Sequence, residues 1–168
     1  MTMRGARASG HAMDATAALR VIEVGGNRMR MEQVWALRRR VFIEEQQVPE
    51  EIELDADDAR AVHALALEGA TPANPAQSER PVGCGRMLAQ DDYVKIGRMA
   101  VVAERRGAGV GRRVLEFLIE NARQRGFRHA VLDAQVHAEG FYLKQGFTPV
   151  GEVFEEAGIM HRRMERAL

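Results

Sequence analysis

One segment constrains this chain more than any other: Arg105-Arg106-Gly107-Ala108-Gly109-Val110-Gly111-Arg112, with glycines at alternate positions, runs directly into an amphipathic helix. From Val110 onward, Val114, Phe117, Leu118 and Ala122 recur on one stripe. Arg113, Glu116, Glu120 and Arg123 fall outside it, and Gly126 ends the pattern. Alternate glycines remove side chains, so successive backbone N–H groups converge on one anion, and the positive end of the helix dipole adds to them. A pyrophosphate meets that demand. A turn made only to reverse the chain seldom uses three glycines with flanking arginines at a helix start.

The elements around the loop limit the fold. Pro81 to Leu88 and Tyr93 to Val102 read as strands joined by the turn Gln90-Asp91-Asp92. In the second of them the apolar parity switches, from Val94 and Ile96 to Met99 and Val101. Either the alternation fades at a strand end, or a β-bulge near Gly97-Arg98 splays this strand and leaves backbone groups free for a ligand. Ala130 to Ala134 is a short strand after the helix, and a strand–helix–strand crossover makes its two strands parallel. Upstream, Leu19 to Val24 reads as a strand, and Val34, Leu37 and Val41 recur at helical spacing. Glu44 to Asp58 is acidic and broken by Pro49, so the helix ends there, in a candidate substrate wall. Val62 to Leu67 is an apolar run suited to a strand covered on both faces, and Gly69 to Ser78 reads as a flexible connection. Downstream, His137 to Gln145 forms a short helix closed by Gly146, and Phe147 to Phe154 and Ile159 to Arg166 read as strands. The fold class is α+β with a mixed sheet: one domain over 18–168, preceded by a flexible tail over 1–17 that is too polar to offset its ordering entropy.

Composition narrows the partners. The 168 residues carry 24 Lys plus Arg against 24 Asp plus Glu, interleaved, with a pI near 7.0. That balance argues against nucleic acid and anionic membranes. No apolar run reaches the roughly 18 residues of a membrane span, and the first residues lack the apolar core of a signal peptide. The single cysteine, Cys84, cannot make an internal disulfide and suits a reducing compartment, so a cytoplasmic location is expected. The histidines are dispersed without ligand-like spacing, so no metal site is expected. Nothing in the chain forbids a homodimer.

The anion can be narrowed by elimination. A Walker loop would end in Gly-Lys and a hydroxyl residue, whereas Gly111 is followed by Arg112 and Arg113. A dinucleotide fingerprint is matched only by the distance to Asp133, and the preceding meander is the wrong context for it.

Taken together, these residues resemble the GNAT superfamily of acetyl-CoA-dependent N-acetyltransferases. Arg106-Gly107-Ala108-Gly109-Val110-Gly111 fits the superfamily's Arg/Gln-x-x-Gly-x-Gly/Ala loop, and Phe141-Tyr142-Leu143-Lys144-Gln145-Gly146-Phe147 fits its Phe-Tyr-x-x-x-Gly-Phe element. The candidate bulged strand lies where the superfamily holds acetyl-CoA. Arg40 to Gln46, Glu53-Leu54-Asp55 with Asp58, Ala134-Gln135-Val136-His137 and Glu156-Ala157-Gly158-Ile159-Met160-His161 narrow the similarity to the ElaA-like branch.

The resemblance implies a GNAT fold: a twisted, mostly antiparallel mixed sheet with a bulged strand and helices on both faces. It also implies acetyl transfer from acetyl-CoA, as co-substrate, to a primary amine of a small molecule or peptide by direct attack. Met99, Ala100 and Val101 would then meet the pantetheine arm. Arg106, Gly107, Ala108, Gly109, Val110, Gly111 and Arg112 would hold the pyrophosphate, and Gln135 stands where many relatives carry Asn. Tyr142 is the candidate acid for the leaving thiolate, and Glu45 and His161 are candidates for the base or water relay that neutralises the amine. Cys84, between two glycines, reads as a buried structural thiol. Glu45, Asp55 and Asp58 either attract a cationic acceptor or only keep the surface soluble. A non-catalytic acyl-CoA-binding module of the same fold is the alternative.

Overall fold

In the computed structural model, which describes residues 18–69 and 78–168, the chain runs β1 (Ala18–Glu23), α1 (Arg28–Arg38), α2 (Glu50–Glu53), β2 (Val62–Gly69), β3 (Arg80–Ala89) and β4 (Val94–Val101). It continues through α3 (Val110–Gln124), β5 (His129–Gln135), α4 (Glu139–Lys144), β6 (Thr148–Glu156) and β7 (Ile159–Ala167). The tail expected over 1–17 and most of the connection expected over Gly69 to Ser78 lie outside the described residues. The strands form one seven-stranded sheet in the order β1-β2-β3-β4-β5-β7-β6. The β4–β5 pair is parallel and every other neighbouring pair is antiparallel. That is the mixed sheet expected, with its one parallel joint made by the α3 crossover. Among the described residues no helix is long and apolar enough to cross a membrane.

The helices take opposite faces because the register of the central strands sorts side chains by parity. On β3, Cys84 and Arg86 point toward α1, while Gly83 and Gly85 point toward α3, where a Cβ on Gly85 would come within 2.9 Å of both Leu118 and Val114. The two glycines around Cys84 are therefore the seat of α3. That helix buries Val110, Val114, Leu115, Leu118, Ile119 and Ala122 against the sheet. Gly85→Val forces methyl groups into the occupied space. It is expected to cost about 1–3 kcal/mol in urea unfolding, as overpacked cores do, and wild-type stability would show that α3 lifts without penalty.

On the other face, Asn27 caps α1 by accepting the Arg30 N–H at 3.1 Å, and Val34 and Leu37 pack into the core. Beyond Arg38 the helix widens into π-turns over Arg39–Glu45, which still bury Val41. The chain then breaks at Pro49, makes the single turn α2, and closes with a 3-10 segment over Ala56–Arg60. The acidic stretch thus forms short turns lying over the middle of the sheet.

Candidate active site

The parity switch in β4 is a bulge. Cys84 pairs with Ala100 and Arg86 pairs with Gly97, so a two-residue step on β3 faces three residues on β4, and Arg98 takes a φ of +50°. The parallel pairing with β5 covers only Val94 to Ile96 against Ala130 to Leu132. Past that point the two strands part. A cavity of about 820 Å³ opens there, lined among others by Met99, Ala100, Val101, Gln135, Tyr142 and His161.

Of the loop, Arg106 lines this opening, and Gly107 to Arg112 lie beyond the lining. Gly107 and Gly109 have φ of +78° and +82°, and a Cβ on either would meet nothing within 4 Å. The N–H groups of Gly109, Val110, Gly111 and Arg112 have no backbone partner among the described residues. Consecutive unpaired amides at a helix start, with open space in front of the glycines, fit a diphosphate. Gly111 lies closer in, where a Cβ would stand 3.6 Å from the Phe141 ring. Arg106 donates through Nε to the Val101 carbonyl at 3.0 Å, and its other end is paired with Glu45 at 2.6 Å. Glu45 therefore sits on the loop, its carboxylate bound to Arg106, and is absent from the cavity lining.

Tyr142 and His161 share the cavity wall. Tyr142 is 8% exposed, packed edge-on against Phe141 and Phe147 with ring centroids at 4.9 and 6.1 Å. Its hydroxyl makes no hydrogen bond within the described residues, and burial pushes the phenol above its ordinary range, so it stays protonated and able to donate. Phe141, its neighbour on α4, turns toward Gly111 and the loop. His161, on β7, stacks on Phe154 at 6.0 Å, and its Nδ1 lies 2.8 Å from the Ile159 carbonyl. A carbonyl only accepts, so Nδ1 carries the hydrogen, and the tautomer that this contact selects has Nε2 as its acceptor. Gln135 pairs across the opening with Gln46 through two amide hydrogen bonds, at 2.7 and 3.2 Å. That pair ties the end of the π-turns to β5.

Beneath the cavity lies an ionic network absent from the sequence reading. Arg38, wholly buried, pairs with Glu53 at 2.6 Å and Asp58 at 2.8 Å. Arg86 pairs with Asp55 at 2.6 Å and with Asp58 at 2.8 Å, and the Trp35 indole donates to Asp58 at 3.1 Å. Arg98, on the bulge, pairs with Glu53 and Asp55 and donates to the Ile52 carbonyl at 2.8 Å. Three arginines answer three carboxylates, so Asp55 and Asp58 are not free to attract a cation. Their charge is neutralised in holding the acidic turns to the sheet, which is neither of the roles expected for them. Burial alone would raise both acids, but hydrogen bonds from Arg86 to Asp55 and from Arg38 and Arg86 to Asp58 hold them below the usual carboxylate range. Glu53 goes the other way, because burial outweighs its arginines. Cys84 lies on this face with its Sγ directed at the Arg98 carbonyl, and burial pushes its thiol up to about 12, which suits packing and not nucleophilic attack.

A signal for the network was present. Arg38 falls four residues after Val34, on the apolar stripe of α1, and Arg86 lies in a central strand between Gly85 and Met87. A cation at either place requires a buried acid.

Comparison with known proteins agrees with this geometry. The profile of the acetyltransferase (GNAT) domain family matches residues 42–168. The chain is 33% identical over 142 residues to the uncharacterised N-acetyltransferase YjcF of Bacillus subtilis, covering 84% of this chain and 95% of that one. It is 34% identical over 134 residues to the protein ElaA of Escherichia coli, covering 77% and 82%. The crystal structure of Escherichia coli ElaA superposes with a TM-score of 0.72 over 89% of this chain and 99% of that one. A GNAT family acetyltransferase from Elizabethkingia anophelis, crystallised with acetyl-CoA bound, shares the fold at a TM-score of 0.62 and 16% identity, over 89% and 98% of the two chains.

Proposed function

Because the chain belongs to the GNAT acetyltransferase family, we propose that it moves an acetyl group from acetyl-CoA to a primary amine of a small molecule or peptide, by direct attack and without a covalent enzyme intermediate. The observation that carries this reading is the convergence of two half-sites on one opening. Arg106, at the head of the glycine loop, lines the β4–β5 split together with Tyr142 and His161, and the unpaired amides of Gly109 to Arg112 follow it in the chain. A protein of the same fold binds acetyl-CoA, whose thioester supplies an activated acetyl group.

In this reading the loop from Gly107 to Arg112, through the free amides of Gly109 to Arg112 and with Arg106, takes the diphosphate, and the splayed backbone of Met99, Ala100 and Val101 faces the pantetheine arm. Arg106 has to leave Glu45 or share its guanidinium to do so. The acceptor nitrogen must be neutral when it attacks, and His161 Nε2 takes its proton directly or through water. Tyr142, kept protonated by its surroundings, gives a proton to the departing thiolate. Gln135, bound to Gln46, holds the two walls of the opening at fixed separation. Glu45, bound to the loop, serves cofactor binding rather than amine activation.

Acetyl-CoA turnover against a panel of primary amines, read as thiol release, tests the proposal. CoA is expected to raise the melting temperature, since it binds only the native state. Gly109→Val should abolish that shift, because its side chain would fill the space before the amides. The φ of +82° also predicts a lower melting temperature for the unliganded variant. No shift with millimolar CoA in the wild type would refute the cofactor, while a shift without turnover of any amine would leave a non-catalytic acyl-CoA-binding module.

A further inference from the structure

Every charged carboxylate, lysine or arginine lining the cavity is answered by an opposite charge among the described residues, with a single exception. Glu53, Asp55, Arg86 and Arg98 belong to the buried network. Asp57 pairs with Arg60 at 2.8 Å, Asp133 with Lys95 at 2.9 Å, and Arg106 with Glu45 at 2.6 Å. The exception is Glu156, at the end of β6, an exposed residue that lines the cavity and whose carboxylate forms no ion pair or hydrogen bond with the described residues. The cavity therefore carries one uncompensated negative charge, at a known place.

That place has a fixed relation to the reacting centre. Phe154 pairs with His161 and Glu156 with Ile159, so these four side chains share one face of the β6–β7 hairpin. Glu156 stands one side-chain repeat, about 7 Å, along the strand from the level of His161. A carboxylate beside the reacting nitrogen would favour its ammonium form and oppose attack. A carboxylate one repeat away does no such harm and can hold a different cation on the same acceptor.

We propose that Glu156 anchors a second, cationic group of the acceptor, so that the preferred substrates are α,ω-diamines or amines bearing an ammonium about 7 Å from the reacting nitrogen. Which end reacts rests on the transferase reading above; the anchor itself is a binding site that requires no turnover. Its specificity follows from these pairings, which answer the other acids lining the cavity and leave Glu156 as the one lining carboxylate without a cation among the described residues.

The test is calorimetric titration of 1,4-diaminobutane into the CoA complex of the full chain, for wild type, Glu156→Gln and Glu155→Gln, with acetylation of the diamine followed in parallel. Glu155 pairs with Met160 and is absent from the cavity lining, so its substitution removes the same charge from the other face of the hairpin. Glu156→Gln is expected to weaken diamine binding roughly tenfold, as loss of a charged hydrogen bond does, and Glu155→Gln to leave it at the wild-type value. Equal affinity in wild type and Glu156→Gln, equal losses in the two variants, or no binding to the wild type would each overturn the anchor. Diamine held through Glu156 but never acetylated would uphold the anchor and overturn the diamine as preferred substrate, while the amine panel decides the transferase reading separately.

Discussion

Tyr142→Phe is expected to lower the rate of acetyl transfer by roughly 10²-fold or more with CoA affinity preserved. The substitution removes one oxygen from a side chain whose ring is already packed edge-on against Phe141 and Phe147. Its hydroxyl supports no other group in the described protein, so packing should survive. What is lost is a proton donor inside a site that burial keeps neutral at working pH. A hundredfold loss corresponds to about 2.7 kcal/mol of transition-state stabilisation, within the range of a single acid–base group. Steady-state kinetics and CoA titration of the same preparation check the result. Full activity would mean that solvent protonates the thiolate. Parallel loss of CoA affinity and melting temperature would make Tyr142 a packing residue. Either outcome removes it from the chemistry.

The parts of this site legible in the sequence are those whose signals are local. A parity switch within one strand placed a candidate bulge within a residue of Arg98, with a fading strand end as the equal alternative, and three glycines before an apolar stripe located the loop and α3. These are backbone demands, and the residues that meet them are neighbours in the chain. Two cations of the ionic floor left a signal, but their pairing was illegible for the opposite reason. Arg38, Arg86 and Arg98 meet Glu53, Asp55 and Asp58 only after α1, the acidic turns, β3 and β4 have been brought together, across separations of 15 to 45 residues. Read alone, an acidic run broken by proline is a solvated face. Glu45 shows the same limit from the other side, since an acid in a suggestive motif proved to be the partner of the loop's own Arg106.

Removing the centre of that floor should produce the largest loss of stability. Arg38→Met keeps much of the volume of a wholly buried side chain but leaves Glu53 and Asp58 without a shared cation. Breaking a buried pair on one side costs about 3–5 kcal/mol, which for a chain of this length lowers the melting temperature by roughly 10 °C. The pH dependence separates this cause from simple loss of packing. In the wild type, Asp55 and Asp58 titrate below their ordinary value of 3.8, so their contribution is complete above that pH and is lost as pH falls through their native values. Glu53 titrates above its ordinary 4.5, so the native state holds its proton more tightly, and its term favours the fold at lower pH and fades as pH rises. Without Arg38, Glu53 rises further and Asp58 loses part of its depression. Both changes move the stability optimum toward acid. Urea unfolding of the variant across pH 4 to 8 should therefore show a deficit largest at neutral pH and smaller near pH 4. A deficit constant across that range would assign Arg38 to packing alone and would leave the acidic turns held to the sheet by Arg86 and Arg98.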